Sequence, residues 1–501
     1  MTQKKKFRFP TAHSILFLIA GLVAILTWII PAGQYDRLSY DNENQTFIRT
    51  DQTGTTVLKA SQETLNGLQI RIPLEKFTQG AIGKPISIPN TFKRLAPQPQ
   101  GFAAFIQAPL KGIIQASDII LLVLIIGGLI AIVNATGAFE AGIAWLAVKL
   151  RGREFLLIIM VTILIALGGT SFGLEEETIA FYPILIPVFL AAKYDAIVAI
   201  ASIYIGSAIG TFASTVNPFS TIIASDAAGI NWTVGLNSRL FMLVTGVCVC
   251  LLYIIRYAQG VKKNPSKSLI FDQKESIEKM FRGTTTAITS ELTGRLQFVL
   301  LIFVSCFFVM VYGVSQLGWW FLEMTSVFLA GAILIGIISK MKERTFVTTF
   351  ISGATDLLGV AFIIGIARGV TVLMEDGLVS DTLLYYASAV TDGMHKGLFI
   401  NALLFIYSGL SFFIPSSSGM AVLTMPIMSP LADGVGIGRE IVVNAYQYGM
   451  GLFKFISPTG IILASLSIAN VGYDKWLKFV MPLVLLLCIL AMTTLTISVY
   501  L

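Results

Sequence analysis

The sequence predicts an all-α polytopic membrane protein with inverted structural repeats, two re-entrant hairpins, two broken transmembrane helices and a small extracytoplasmic β-containing loop. Three observations predict it: composition, two interrupted apolar segments in corresponding positions, and an internal repeat. Of 501 residues, 55% are hydrophobic and 13% charged, with mean hydropathy +0.80, against about 25% charged in soluble domains. A net charge of +7 does not indicate nucleic-acid binding, because the basic residues gather at the ends of apolar runs, where they set orientation. Cys248, Cys250, Cys306 and Cys488 lie in apolar runs without metal-ligand or disulfide spacing, so neither a metal site nor a disulfide framework is indicated.

Apolar runs able to cross a core of about 30 Å occur near 12–31, 117–135, 195–215, 238–257, 295–314, 321–339, 356–374, 439–456 and 476–499. The first (1–31 with its basic lead) reads as a retained transmembrane helix rather than a cleaved signal, since it is long enough to span. Placing Lys4 to Lys6 inside leaves 32–100 outside, where TFIRTDQTGTTVLKA reads as a β-hairpin turning at DQTG. Continuing the count puts Lys149, Arg151, Arg153, the 259–294 linker, KMKER at 340–344 and Lys475 with Lys478 inside, as the positive-inside rule requires. The expected location is the cytoplasmic (inner) membrane, with a cytoplasmic N-terminus and an extracytoplasmic C-terminus.

Two segments depart from this pattern. From Glu154 to Leu167 an arm of about fourteen residues reaches GGTSFGLEEE, and SFFIPSSSGMAVLTMPIMSPL from Ser411 repeats the interruption. An arm of about 21 Å is too short to cross, so each enters and turns back, and its irregular tip needs protein or water around it. The halves match at SDIILLVLIIGG and TDLLGVAFIIGI, at YPILIP and MPIMSP, and at VNPFSTIIAS and ISPTGIILAS, with offsets of 238, 243 and 240 residues. Opposite entry sides for Asp118 and Asp356 make the repeats inverted. The first repeat is 101–258, with hairpin 154–192 and broken helix 195–230. The second is 295–501, with hairpin 397–433 and broken helix 439–471. Pro218 and Pro458 each split a long run into half-helices, whose ends attract ions.

The chemistry-bearing residues sit at these interruptions. Glu175, Glu176 and Glu177 cannot all be charged and unpaired in an apolar setting. They serve as proton carrier, Na⁺ ligands or partners of a substrate ammonium, Glu176 and Glu177 foremost, unless they only stabilise the following helix start. Thr211, Ser214, Asn217, Ser220 and Thr221 gather small oxygen donors around the first break, suited to a hard cation such as Na⁺ near Glu176, Ser214 and Asn217, or to a carboxylate. Ser416, Ser417, Ser418 and Gly419 form the second tip, as carboxylate cradle or helix cap. Ser457 and Thr459 play the corresponding part at the second break. Lys454, deep in a span, acts as a built-in cation or pairs with the glutamates or a substrate carboxylate. Asn444 and Gln447 add polar faces, which in membrane helices also serve as interhelical glue. Arg368 favours an intramembrane ion pair or a lipid-edge contact over substrate binding. No nucleophile–base constellation is present, which argues against an enzyme.

GLEEETIAF, STVNPF, PSSSGMAVLTMPIMSPL and AYQYGMGLFKFISPTG resemble the YfcC-type branch of the C4-dicarboxylate anaerobic carrier (DcuC) family, within the ion transporter superfamily. The resemblance implies an elevator-type secondary carrier and a homodimer. Relatives with a Ser-Asn-Thr signature at hairpin and break bind Na⁺ and a carboxylate there; here hairpin one carries glutamates instead. The expected function is a symporter or antiporter of a small carboxylate-bearing metabolite, leaning to amino acids including basic ones. A C4-dicarboxylate or short-chain carboxylate carrier is the alternative, and a channel or intramembrane enzyme is a distant one. No cofactor is expected beyond Na⁺ or H⁺ as coupling ion, and no nucleic-acid partner.

Overall fold

The computed structural model describes residues 10–79, 82, 84–149, 153–282, 292–317, 319–391 and 393–501. Lys4 to Lys6, Arg151 and part of the 259–294 linker lie outside the described residues. The chain is mostly helical, and among the described residues eight helices are long and apolar enough to cross a membrane. Each of the nine apolar runs contains a helix. The last is Tyr473–Tyr500, while Ala196–Phe212 and Arg439–Lys454 stop at their proline-containing breaks.

The hairpin arms differ from expectation. The first is an 18-residue helix, Phe155–Phe172, rather than a fourteen-residue arm ending at Leu167. Gly168 and Gly169 do not interrupt it; Gly168 faces the Leu174 side chain of its own tip, and Gly169 lets the backbone approach helix Ala196–Phe212. A Cβ on Gly169 would lie 2.8 Å from the Ser207 carbonyl, and one on Gly210 would collide with the Ala166 carbonyl. The chain turns instead at Gly173, whose φ of 79° is left-handed, a region open to glycine at little cost. The second arm, Lys396–Phe413, is also 18 residues long. Both arms therefore have the length of a crossing, so length does not separate them from ordinary spans.

Four further helices border these elements. Phe102–Gln115 lies against Leu358–Asp376, and Glu343–Asp356 lies against Ser117–Ala135. Both crossings use glycine. A Cβ on Gly112 would sit 2.9 Å from Gly369 Cα, and one on Gly127 would sit 3.1 Å from the Gly353 carbonyl carbon. Each half thus lends a short helix to the long helix of the other. Ala138–Lys149 and Ser380–Thr391 complete the set.

The 32–100 segment folds into an antiparallel sheet, in order Gly54–Lys59, Thr46–Asp51, Arg37–Asp41, Ile86–Ser87. The turn falls at DQTG as read from the sequence: Asp51 pairs with Gly54, and Asp51 Oδ1 accepts from Thr53 N at 2.7 Å. The segment is pinned to the helices by Arg37–Asp381 at 2.7 Å, Arg71–Asp433 at 2.6 Å and Lys76–Asp226 at 2.7 Å.

Candidate functional site

Both hairpin tips and both helix breaks line one cavity of about 400 Å³. Why they meet follows from local chemistry. Tip one is tied to break one: Thr215 N donates to Thr170 Oγ1 at 2.9 Å, Val216 N donates to the Thr170 carbonyl at 3.2 Å, and the Ser207 hydroxyl donates to the Leu174 carbonyl at 2.5 Å. A Cβ on Gly173 would lie 2.8 Å from Asn217 Nδ2, so the tip closes on the break only with glycine there. Tip two is held by Tyr446, whose hydroxyl donates to the Ser417 carbonyl at 2.7 Å. The two broken helices cross at Phe212 and Tyr448, whose rings stack at 5.3 Å.

The glutamates divide. Glu175 pairs with Lys454, Oε2 to Nζ 2.6 Å, joining tip one to the end of the second broken helix; of the alternatives for Lys454, pairing with a glutamate is the one adopted. The Lys454 carbonyl accepts from the Tyr204 hydroxyl at 2.6 Å, which fixes the backbone that carries it. Glu177 is buried, and its Oε2 accepts the Glu175 backbone N–H at 3.2 Å. Glu176 faces the cavity beside them.

Thr211, Asn217 and Ser220 line the cavity, whereas Ser214 and Thr221 stand one layer behind. Their hydroxyls lie 2.6 Å apart, and the Ser220 hydroxyl donates to Ser214 at 3.3 Å. Asn217 caps the short helix that follows: its Oδ1 accepts from Phe219 N at 2.8 Å. Of the trio considered for Na⁺, Glu176 and Asn217 reach the cavity and Ser214 is held against Thr221. Gln447 bridges the halves by donating to Thr221 Oγ1, while its buried Oε1 has no hydrogen-bond partner among the described residues. Ser416, Ser417 and Ser418 line the cavity; Gly419 does not, its N–H donating to Ser416 Oγ at 3.2 Å as the helix cap. Thr459 lines it with Ser457 behind, their hydroxyls 2.9 Å apart. Asn444 is buried away from it.

Three residues complete the site that sequence reasoning did not assign to it. Asp118, used only as a repeat landmark, lines the cavity. Arg368 also lines the cavity rather than meeting only an ion-pair partner or the lipid edge: its Nε donates to Gln115 Oε1 at 3.0 Å, and its nearest carboxylate, Glu375, is 3.9 Å away. Lys84 reaches in from the β-rich segment, its Nζ donating to Ser418 Oγ at 2.7 Å. Trp319, Trp320 and Phe321 supply an apolar wall. Among the described residues no group of three His, Cys, Asp or Glu side chains is arranged to hold a metal.

The model of the C4-dicarboxylate anaerobic carrier family, DcuC, matches residues 9–500. An uncharacterized protein of Haemophilus influenzae (strain ATCC 51907 / DSM 11121 / KW20 / Rd) is 42% identical over 484 residues, covering 96% of this chain and 95% of its own. YfcC of Escherichia coli (strain K12), described as a candidate basic amino acid antiporter, is 29% identical over 499 residues, covering 95% and 93%. Among solved structures, the YdaH transporter of Alcanivorax borkumensis aligns with a TM-score of 0.39 and 11% identity over 97% of this chain and 98% of its own. MtrF of Neisseria gonorrhoeae, described in terms of a class of antimetabolite efflux pumps, aligns with a TM-score of 0.39 and 16% identity over 99% and 96%.

Proposed function

This chain belongs to the C4-dicarboxylate anaerobic carrier family and is a multi-pass membrane transporter; from that premise we propose that it is a secondary active carrier of a small amino acid, basic ones included. The observation that carries this reading is the charge inventory of the single cavity where tips and breaks meet. Four carboxylates (Asp118, Glu175, Glu176, Glu177) face three cations (Lys84, Arg368, Lys454). A substrate or coupling ion with net positive charge offsets the excess. A dicarboxylate adds two negative charges to it and demands coupling cations in compensation, since unpaired charge in a dry site is costly. Glu176 offers an acceptor to an ammonium group, and Trp319 and Trp320 offer apolar area to an aliphatic stem.

The transport cycle we propose is alternating access of the elevator type. Hairpins 154–192 and 397–433, re-entrant from opposite sides, move with broken helices 195–230 and 439–471 against the remaining helices. The reciprocal glycine crossings of Phe102–Gln115 and Glu343–Asp356 support an inverted repeat. Lys454 is the internal cation of the mobile unit, neutralising Glu175 and leaving Glu176 to bind H⁺, Na⁺ or the substrate ammonium. We place the protein as a homodimer in the inner membrane with its N-terminus cytoplasmic and its C-terminus outside. Proteoliposomes test the reading: saturable uptake or exchange of radiolabelled lysine or arginine under an H⁺, Na⁺ or amino-acid gradient is expected. Saturable flux of succinate alone would favour the dicarboxylate reading, and no saturable flux of either class would overturn both.

A further inference from the structure

We propose that Arg368, assisted by Lys84, binds the carboxylate group of the transported molecule and so sets the requirement for a carboxyl group; this rests on the carrier reading above. Arg368 stands on helix Leu358–Asp376 and lines the cavity within reach of the second tip. A guanidinium offers five N–H donors in a planar fork that matches a carboxylate. Arg368 uses one of them: Nε donates to Gln115 Oε1 at 3.0 Å. The remaining contact, 3.9 Å to Glu375 Oε1, is beyond hydrogen-bond distance. Its side chain is 34% exposed and that of Glu375 is 52% exposed, so the pair is a loose surface-type contact of small energetic weight.

Lys84 supplies a second, separate observation. It belongs to the β-rich segment, far from any span in sequence, yet its Nζ is placed on Ser418 at the cavity rim. The neutral hydroxyl leaves its charge uncompensated. Partial burial and the positive charge of Arg368 together hold the Lys84 ammonium below its usual pKa, which marks two cations sharing one region. An anion placed between them relieves that repulsion. Gln115 keeps the Arg368 side chain extended toward the cavity instead of toward lipid, and so acts as a positioning residue.

The acids lining the same cavity are Glu175 to Glu177 at tip one and Asp118, three residues beyond Gln115. A zwitterion therefore finds an anion-binding end at Arg368, Lys84 and the Ser416–Ser418 tip, and a cation-binding end at Glu176. One end selects for a carboxyl group and the other for an amine. Neither end by itself specifies an amino acid.

The test is binding to the full-length protein in lipid nanodiscs, with L-lysine and L-arginine as probes beside lysinamide and argininamide, and succinate beside its diamide. Wild type is expected to prefer each free carboxylate to its amide. Arg368→Gln is expected to weaken the carboxylate forms by tenfold or more while leaving the amides unchanged, so that the preference collapses. Lys84→Gln moves the same way by a smaller factor, and Arg368→Lys recovers part of the loss. Unaltered amide affinity and melting temperature show that the variant is folded. If Arg368→Gln keeps the wild-type preference, the carboxylate assignment is overturned while the carrier reading stands. If wild type binds none of the probes, the carrier reading itself fails, and the assignment with it.

Discussion

Breaking the Lys454–Glu175 pair tests whether the two halves of the chain are locked by one internal charge contact. The pair is short, 2.6 Å, with side-chain exposures of 15% and 24%, which puts it between two regimes. Fully buried pairs cost about 3–5 kcal/mol when one partner is removed, because the other is left buried and unpaired; exposed pairs are worth about 0–1 kcal/mol. Interpolating, Lys454→Met or Glu175→Gln alone lowers stability by about 2 kcal/mol, or about thirtyfold in the folded-to-unfolded ratio. The double variant leaves no stranded charge, so its loss is about 1 kcal/mol rather than the sum of the two singles. Equilibrium unfolding of the solubilised protein by a titration of sodium dodecyl sulfate measures all four members of the cycle. Additive single losses would refute the pairing argument, as they would mean that Lys454 and Glu175 each contribute through other neighbours.

Three more outcomes are expected. Glu176→Gln changes the pH dependence of transport in proteoliposomes, and an unchanged profile removes Glu176 from proton coupling. Asp195 caps helix Ala196–Phe212 and accepts from Tyr257 and Ser268 at 2.8 and 2.6 Å. Asp195→Ala removes the cap and strands both hydroxyl donors, so it lowers stability by about 1–2 kcal/mol; a variant that melts with the wild type would contradict this. Gly173→Ala imposes the left-handed φ cost of about 1–2 kcal/mol and pushes on Asn217, so it lowers both melting temperature and transport; a variant with wild-type melting and flux would mean that tip and break separate freely.

Much of the fold was legible because the bilayer imposes a one-dimensional constraint: a span must be apolar over its whole length, and the nine runs read from the sequence each hold a helix. The proline breaks were legible for a related reason, since Pro218 and Pro458 cannot continue the hydrogen-bond ladder. The length of the first arm was not. Gly168 and Gly169 look like a helix terminator in a linear pattern, yet Gly169 against Ser207 and Gly210 is what allows two backbones to touch, a reason that exists only once the partner helix is in place. The helices Phe102–Gln115 and Glu343–Asp356 escaped for another reason: both are shorter than a span, and the second opens on Glu343 and Arg344.

The site divides along the same line. Residues at interruptions announce themselves, because polar groups in an apolar run need a purpose, and Glu175 to Glu177, Asn217, Ser416 to Ser418, Lys454 and Thr459 all line one cavity. Arg368 was visible as an oddity but was assigned elsewhere, since its helix has no break and hydropathy does not say which face of a helix meets a cavity. Lys84 left no signal at all: it sits in a polar loop, and its contact with Ser418 spans 334 positions. The interruptions report the half of the site that is built from irregular backbone. Intact helices and a folded loop bring the other charges, Asp118, Arg368 and Lys84, to the same cavity. If the tips move relative to the intact helices, Asp118 and Arg368 are the charges whose contacts with the substrate must form and break in each cycle, so substitutions there should lower transport rate while leaving the stability of the tips unchanged.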